Sequence, residues 1–266
     1  MKMMAKKWVK TLALASIAAV SLSNMVYANV ERGLEIAKER KARDEGWGDS
    51  IATMEMILTD SQGASSTRLM RLKNFEMHGD GDKGLTIFDQ PRDVKGTAFL
   101  NHSHISEADD QWLYLPALKR VKRISSRNKS GPFMGSEFSY EDLSSFELEK
   151  YSFSFVKDER LGDVSTFVLE QIPTDKHSGY TKQITWLDSE HYRPLKVEFY
   201  DRRGAILKTL TFSDYQQYLS KYWRAHKMVM VNHLSGKSTE LKTSALEFQT
   251  GLTEKDFQKN VLKRVR

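Results

Sequence analysis

The chain has no cysteine among its 266 residues. Disulfides, thiolate zinc sites and cysteine nucleophiles are therefore excluded, and the fold has to hold by packing alone. Only five prolines occur, and no composition break or low-complexity tract marks a second domain. Beyond the N-terminus, no apolar run approaches the roughly 20 residues that a bilayer-spanning helix needs, so the mature chain reads as soluble. Catalytic signatures are missing too. There is no G-x-S-x-G elbow, H-E-x-x-H helix, P-loop or dinucleotide fingerprint. The chain is read as non-enzymatic, with no catalytic residue, metal or cofactor assigned.

An excess of one charge is also lacking once the N-terminus is set aside. MKMMAKKWVK carries Lys2, Lys6, Lys7 and Lys10 and no acid, and TLALASIAAVSLSNMV follows it. Val26-Tyr27-Ala28 then offers small residues at the positions a signal peptidase reads, so residues 1–28 are expected to be a cleaved signal peptide. Without those four lysines, 37 of the 41 bases remain against 35 acids. A nucleic-acid binder would show a dominant basic face. Here the basic excess is confined to Lys119–Lys129, and the acids that follow it would repel phosphate. No nucleic-acid partner is expected.

What is present is mostly period-two alternation. Residues 29–45 read as a helix with a narrow stripe of Leu34, Ile36 and Ala37, ended by GWGDS. From Ser50 onward, runs such as SIATMEMILT and KYSFSFV alternate apolar and polar residues between turn residues. LKVEFYDRRGAILKTLTF is a hairpin pattern. LTEKDFQKNVLKR returns to helical spacing through Leu252, Phe257, Val261 and Leu262, with Thr253 and Asp256 as a capping pair. The expected fold is mainly β (α+β): one domain over residues 29–266, with ten or eleven antiparallel strands curled into an incomplete barrel. Covering helices and a helix at each end complete it.

Two clusters could bind metal, and both read better as loops. His102 and His104 lie near Glu107, Asp109 and Asp110 but lack a third ligand fixed by spacing. Gly79-Asp80-Gly81-Asp82 lacks the later acids of a calcium loop.

The apolar residues are more informative. Trp112, Leu113, Tyr114 and Leu115 are apolar on both faces of a strand, so both faces are covered, either by core and a packed element or by a lined cavity. Met54, Met56, Met228 and Met230 give faces rich in adaptable thioethers. In FMGSEFSYEDL, Ser139 and Asp142 form a capping box, which points Phe133, Met134, Phe138 and Tyr140 toward whatever lies beneath. Glu137, Glu141 and Asp142 are expected to pair with Arg120, Arg123 and Arg127, while Gly131, Pro132 and Gly135 allow a hinge. A fixed loop and a mobile cover both fit.

WLYLPALKRVKRISSRNKSGPFMGSEFSYEDL closely resembles the central block of bacterial outer-membrane lipoprotein-sorting proteins, relatives of the LolA/LolB carrier fold. GWGDS, LTIFDQPRDVKGTAFL and YRPLKVEFYD agree with it. The resemblance implies an incomplete barrel whose helices cover a hydrophobic cavity for acyl chains. It also implies a Gram-negative periplasm and, often, an exporter of the resistance-nodulation-division (RND) type nearby. The carriers' cavity-facing arginine has no matched position; Arg68 and Arg71 lie in a suitable strand. The leading expectation is a periplasmic carrier or chaperone for a lipid or lipoprotein acyl chain, delivering to an RND exporter or an outer-membrane acceptor. The alternatives are a non-catalytic protein-binding accessory or sensor module and a hydrolase without a signature. Ligand or lid contacts are assigned to Trp112, Tyr114, Phe133, Met134, Phe138 and Tyr140. Arg120, Arg123, Glu141 and Asp142 are assigned as lid or headgroup partners.

Overall fold

The computed structural model describes residues 28–265. The expected signal peptide lies outside the described residues, except for Ala28 in the first turn of the helix α1 (residues 28–43). Two meanders follow. The first runs β1 (Asp49–Thr59), β2 (Ser65–Phe75), β3 (Lys83–Gln90), β4 (Ala98–His102), β5 (Asp110–Leu115) and β6 (Arg120–Ile124). The second runs β7 (Tyr151–Leu161), β8 (Val164–Pro173), β9 (Lys182–Asp188), β10 (Pro194–Tyr200), β11 (Ile206–Tyr218), β12 (Tyr222–Asn232) and β13 (Ser238–Phe248).

All thirteen strands form one antiparallel sheet in the order β6-β5-β4-β3-β2-β1-β13-β12-β11-β10-β9-β8-β7. The meanders are joined at the centre by β1 and β13, with Met56 opposite Leu241. The two edges, β6 and β7, do not pair, so the barrel stays open. Gln111 of β5 nevertheless donates to the Tyr140 carbonyl while Lys208 of β11 donates to the carboxylate of Asp142, only two residues further on. In a flat sheet those strands would stand roughly 34 Å apart at 4.8 Å per step. Only a strong curl brings them together.

The alternation in the sequence becomes the two faces of this sheet. Ala52, Met54 and Met56 of β1, Met70 of β2, Leu210 of β11, Met230 of β12 and Leu241 of β13 all point to the concave side and are buried. At the β7–β9 end the concave face is closed by α1, whose Ile36 packs with Phe155, Leu169 and Leu187. Gly33 makes that approach possible: a Cβ there would lie 2.6 Å from the backbone nitrogen of Phe155. Leu34, expected in the buried stripe, is instead exposed, because the helix meets the strand along Gly33, Ile36 and Ala37.

The expected C-terminal helix is instead two short 3-10 turns, Glu254–Phe257 and Lys259–Lys263, separated by an extended Gln258. The capping box of Thr253 and Asp256 is present. Phe257 and Leu262 are fully buried against Leu85, Ile87, Ala98 and Leu100, covering the convex face of β3–β5. The apolar spacing therefore marked the residues that dock, while the chain reaches them through tighter turns than an α-helix. Among the described residues no helix is long and apolar enough to cross a membrane.

Candidate ligand-binding site

The topology dictates where the site must be. β6 and β7 are consecutive in sequence yet lie at opposite edges of the sheet, so residues 125–150 have to cross its open mouth. The middle of this crossover fills the concave face as a plug. Phe133 and Phe138 are buried in the central cluster, with Met134 and Tyr140 packed against it. The Phe133 ring lies 5.1 Å from that of Phe99, 5.9 Å from Phe88 and 5.6 Å from Tyr140.

Local rules shape the plug. Pro132 and Ser139 form a β-bridge, and the amide of Phe133 donates to the Phe138 carbonyl at 2.7 Å. The tip is a tight turn in which Met134 and Gly135 both have positive φ, 51° and 76°. The Ser136 amide closes it onto the Phe133 carbonyl at 2.9 Å. Ser139 then caps the 3-10 turn Tyr140–Leu143 in a full capping box with Asp142, as the residue types predicted.

Polar groups on the otherwise apolar concave face hold the plug in place. Lys208 of β11 donates to Asp142 at 2.6 Å and to the Glu137 carbonyl at 3.0 Å. Both side chains of this ion pair are only 4% exposed. Asp142 also accepts from the Tyr180 hydroxyl at 2.8 Å and the Ser139 amide at 2.7 Å. Asn232 of β12 donates to the Glu137 carboxylate at 2.7 Å, and Thr239 of β13 accepts from the Glu137 amide at 2.9 Å. From the first meander, Arg68 of β2 donates to the Met134 carbonyl and Gln111 of β5 to that of Tyr140. Burial pushes the Glu141 carboxyl and the Tyr180 hydroxyl above their ordinary ranges; Glu141 accepts from Ser178 and the Gly179 amide. An apolar surface held by six or more directed hydrogen bonds has a defined docked position.

Beside the plug, under the C-terminal end of α1, lies an open cleft of about 1100 Å³. Its walls include Phe146, Tyr215 and Trp223, and its floor includes Phe212 and Met228. These last two also pack against the central cluster, so the cleft is continuous with the apolar face that the plug covers.

An outer membrane lipoprotein-sorting protein domain from Vibrio parahaemolyticus is 78% identical to this chain, covering 89% of it and 100% of the Vibrio domain, at a TM-score of 0.88. The chain belongs to the outer-membrane lipoprotein-sorting protein family. A family profile whose description reads "-like: Uncharacterized protein" matches residues 80–264. A DUF1329 family protein from Desulfovibrio piger is similar at 26% identity and a TM-score of 0.83, over 88% of this chain and 99% of its own. A LolA superfamily protein from Nitrosomonas europaea shares the fold, with 20% identity and a TM-score of 0.67 over 85% of this chain and 97% of its own. None of the curated proteins matches the chain.

Within this lipoprotein-sorting fold the predicted site residues separate into groups. Phe133, Met134, Phe138 and Tyr140 come together in the plug. Trp112 and Tyr114 do not join them. Leu113 faces the plug, so its neighbours point to the convex side, where they pack with Phe257 and Leu262. The double-sided apolar strand thus has core on one face and the C-terminal turns on the other. The expected ion pairs also differ. Arg123 pairs with Asp110 and stays exposed, Arg120 is exposed, and Asp142 takes Lys208 instead. β6 is an edge strand whose basic side chains face water, out of reach of the docked acids. His102 contacts the Phe257 carbonyl and His104 contacts Asp80.

Lys208, Asn232 and Thr239 were missed, and Arg68 was noted only as lying in a suitable strand, although the sequence carried a signal. Each occupies the apolar phase of its strand: Lys208 precedes Leu210 and Phe212, Asn232 follows Met228 and Met230, and Arg68 precedes Met70 and Leu72. A polar residue in that phase has to be satisfied by something brought to the concave face.

Proposed function

We propose that the chain is a periplasmic, non-enzymatic carrier for a lipid-like ligand, with the plug as a displaceable stand-in for the ligand's acyl chain. The observation that carries this reading is that a loop with its own apolar side chains covers the methionine-rich face, while the open sheet edges leave that face otherwise accessible. Phe133, Met134, Phe138 and Tyr140 are then cover residues, and Glu141 and Asp142 are the acids that seat the cover.

The energetics allow exchange. A dozen methylenes leaving water gain about 10 kcal/mol, at roughly 0.8 kcal/mol each. Undocking Phe133 and Phe138 exposes two large side chains at roughly 1.5–3 kcal/mol each and also breaks the polar contacts. With the polar contacts at roughly 0.5–1.5 kcal/mol each, the cost is of the same order as the gain, so plug and ligand compete on near-equal terms, which suits a protein that must give its cargo up. An RND exporter or an outer-membrane acceptor that offers the plug a competing contact would complete release.

The filled concave face favours a second reading, a protein-binding accessory module whose interior is permanently occupied by its own side chains. One experiment separates the two. The mature protein is purified from cells, its organic extract is analysed by mass spectrometry, and hydrogen exchange is followed across residues 129–147. The carrier reading expects co-purified lipid and faster exchange of the plug when an acyl ligand is bound. A lipid-free extract, an unresponsive plug and a stable protein complex would overturn it in favour of the module.

A further inference from the structure

The cleft under α1 contains four arginines, and three of them hold a carboxylate. Arg43 pairs with Glu39, Arg193 with Asp188 and Arg224 with Asp44. The cleft's Lys41 is likewise paired, with Glu147. Arg40 is different. Its guanidinium lies 4.0 Å over the Phe146 ring, and among the described residues it has neither a carboxylate within ion-pairing distance nor a hydrogen bond. Burial pulls its pKa down, and the more distant Asp44 offsets this only in part.

A guanidinium carries five donors in a rigid fork suited to planar or tetrahedral oxyanions. Arg40 is half-buried and lines the open cleft, so its unpaired donors are free to take an oxyanion there. The apolar surroundings narrow the choice further. Phe146 supports the guanidinium from one side, and the floor at Phe212 and Met228 runs from the cleft into the apolar cluster beneath the plug. Small inorganic anions would leave that floor unused.

We propose that the cleft takes an anionic amphiphile, with a phosphate or carboxylate headgroup on Arg40 and its chain laid over Phe212 and Met228 toward the plug. This rests on the carrier reading and adds to it the charge class and orientation of the cargo. Most carboxylates of the cleft are already engaged: Asp44 by Arg224, Glu147 by Lys41, Glu76 by the Gly46 and Gly48 amides, Asp80 by His104 and Asp82 by the Met77 amide.

The test compares dodecyl phosphate, dodecyl maltoside and inorganic phosphate by calorimetry, each below its micellar concentration, on wild type, Arg40→Gln and Arg32→Gln. Arg32 is the control: it also lies on α1 and stacks on an aromatic ring, that of Phe155 at 3.6 Å, but it is paired with Asp158 outside the cleft. Thermal unfolding verifies that each variant is folded. The expected result is that dodecyl phosphate binds wild type and Arg32→Gln alike, at least tenfold tighter than Arg40→Gln. Dodecyl maltoside should bind all three equally and more weakly. Inorganic phosphate binding as tightly as dodecyl phosphate would overturn the amphiphile assignment in favour of a free oxyanion. Equal affinity of wild type and Arg40→Gln for dodecyl phosphate would overturn the headgroup site while leaving the carrier reading intact. Failure of both dodecyl compounds to bind any variant would overturn the headgroup site and the carrier reading together.

Discussion

Replacing Lys208 with methionine isolates the contact that seats the plug. Methionine keeps most of the unbranched stem and removes the charge, so packing against Tyr180 and Phe199 is largely preserved. Asp142 keeps the Tyr180 hydroxyl and the Ser139 amide but has no cation among the described residues, and its side chain is 4% exposed. Breaking one side of a buried pair costs about 3–5 kcal/mol. At about 2–4 °C per kcal/mol for a domain of this size, Tm should fall by about 10 °C. That loss has a ceiling: once it exceeds the free energy of undocking residues 129–147, the plug leaves and the sheet survives. Guanidinium unfolding gives the global loss, and hydrogen exchange of the plug amides shows which regime holds. Adding Asp142→Asn removes the stranded charge while keeping an acceptor for Tyr180, and should recover most of the stability. If Lys208→Met matched wild type in both unfolding midpoint and plug exchange, the ion pair would not be what seats the plug.

Three further outcomes are expected. Gly33→Ala should destabilise by about 1–3 kcal/mol, read by denaturant unfolding, because its methyl would meet the β7 backbone at 2.6 Å and neither element can move locally. Trp112→Ala should destabilise the protein by about 3 kcal/mol and loosen the C-terminal turns in limited proteolysis; acyl-ligand affinity should be unchanged, since Trp112 packs on the convex face. Asp82 carries a pH signature. Burial pushes its carboxyl up to about 6 from an ordinary value of 3.8, so the folded state holds the proton more tightly than the unfolded chain. Stability is lost as pH rises from about 4 to 6, and the penalty stays in full above that. Asp82→Asn removes the penalty. The variant should match wild type near pH 4 and exceed it by about 2–3 kcal/mol at pH 7, measured as the difference between their unfolding curves.

The strands were legible because one face of nearly every strand meets water or a cover, and alternation reports that directly. Met54 with Met56 and Met228 with Met230 gave the concave face, and Ser139 with Asp142 gave the plug's capping box. Pairing order was not legible. Nothing local in GWGDS or in LTEKDF says that β1 meets β13, and without that order the crossover of residues 125–150 cannot be deduced. The plug's partners were misassigned for the same reason. Sequence proximity favoured Arg120 and Arg123, whereas the curl brings Lys208, 66 residues away, within 2.6 Å of Asp142. Trp112 and Tyr114 were placed with the plug because an apolar strand shows no phase, and only the docked Phe257 and Leu262 reveal which side each faces. Arg40 left no sequence signal, because an arginine on a charged helix looks solvated until the fold sets an aromatic ring beneath it.

The central pairing of the first and last strands also governs when the molecule can become whole. As the chain emerges N-terminus first into the place where it folds, the free edge of β1 waits through nearly two hundred residues for its partner, and each half can zip up only within itself. Such an unpaired edge invites adhesion to other chains. The pairing of β13 with β1 is thus the event that welds the halves together, and a chain truncated just before β13 should be left as two unjoined, adhesive meanders rather than a slightly shortened version of the native protein.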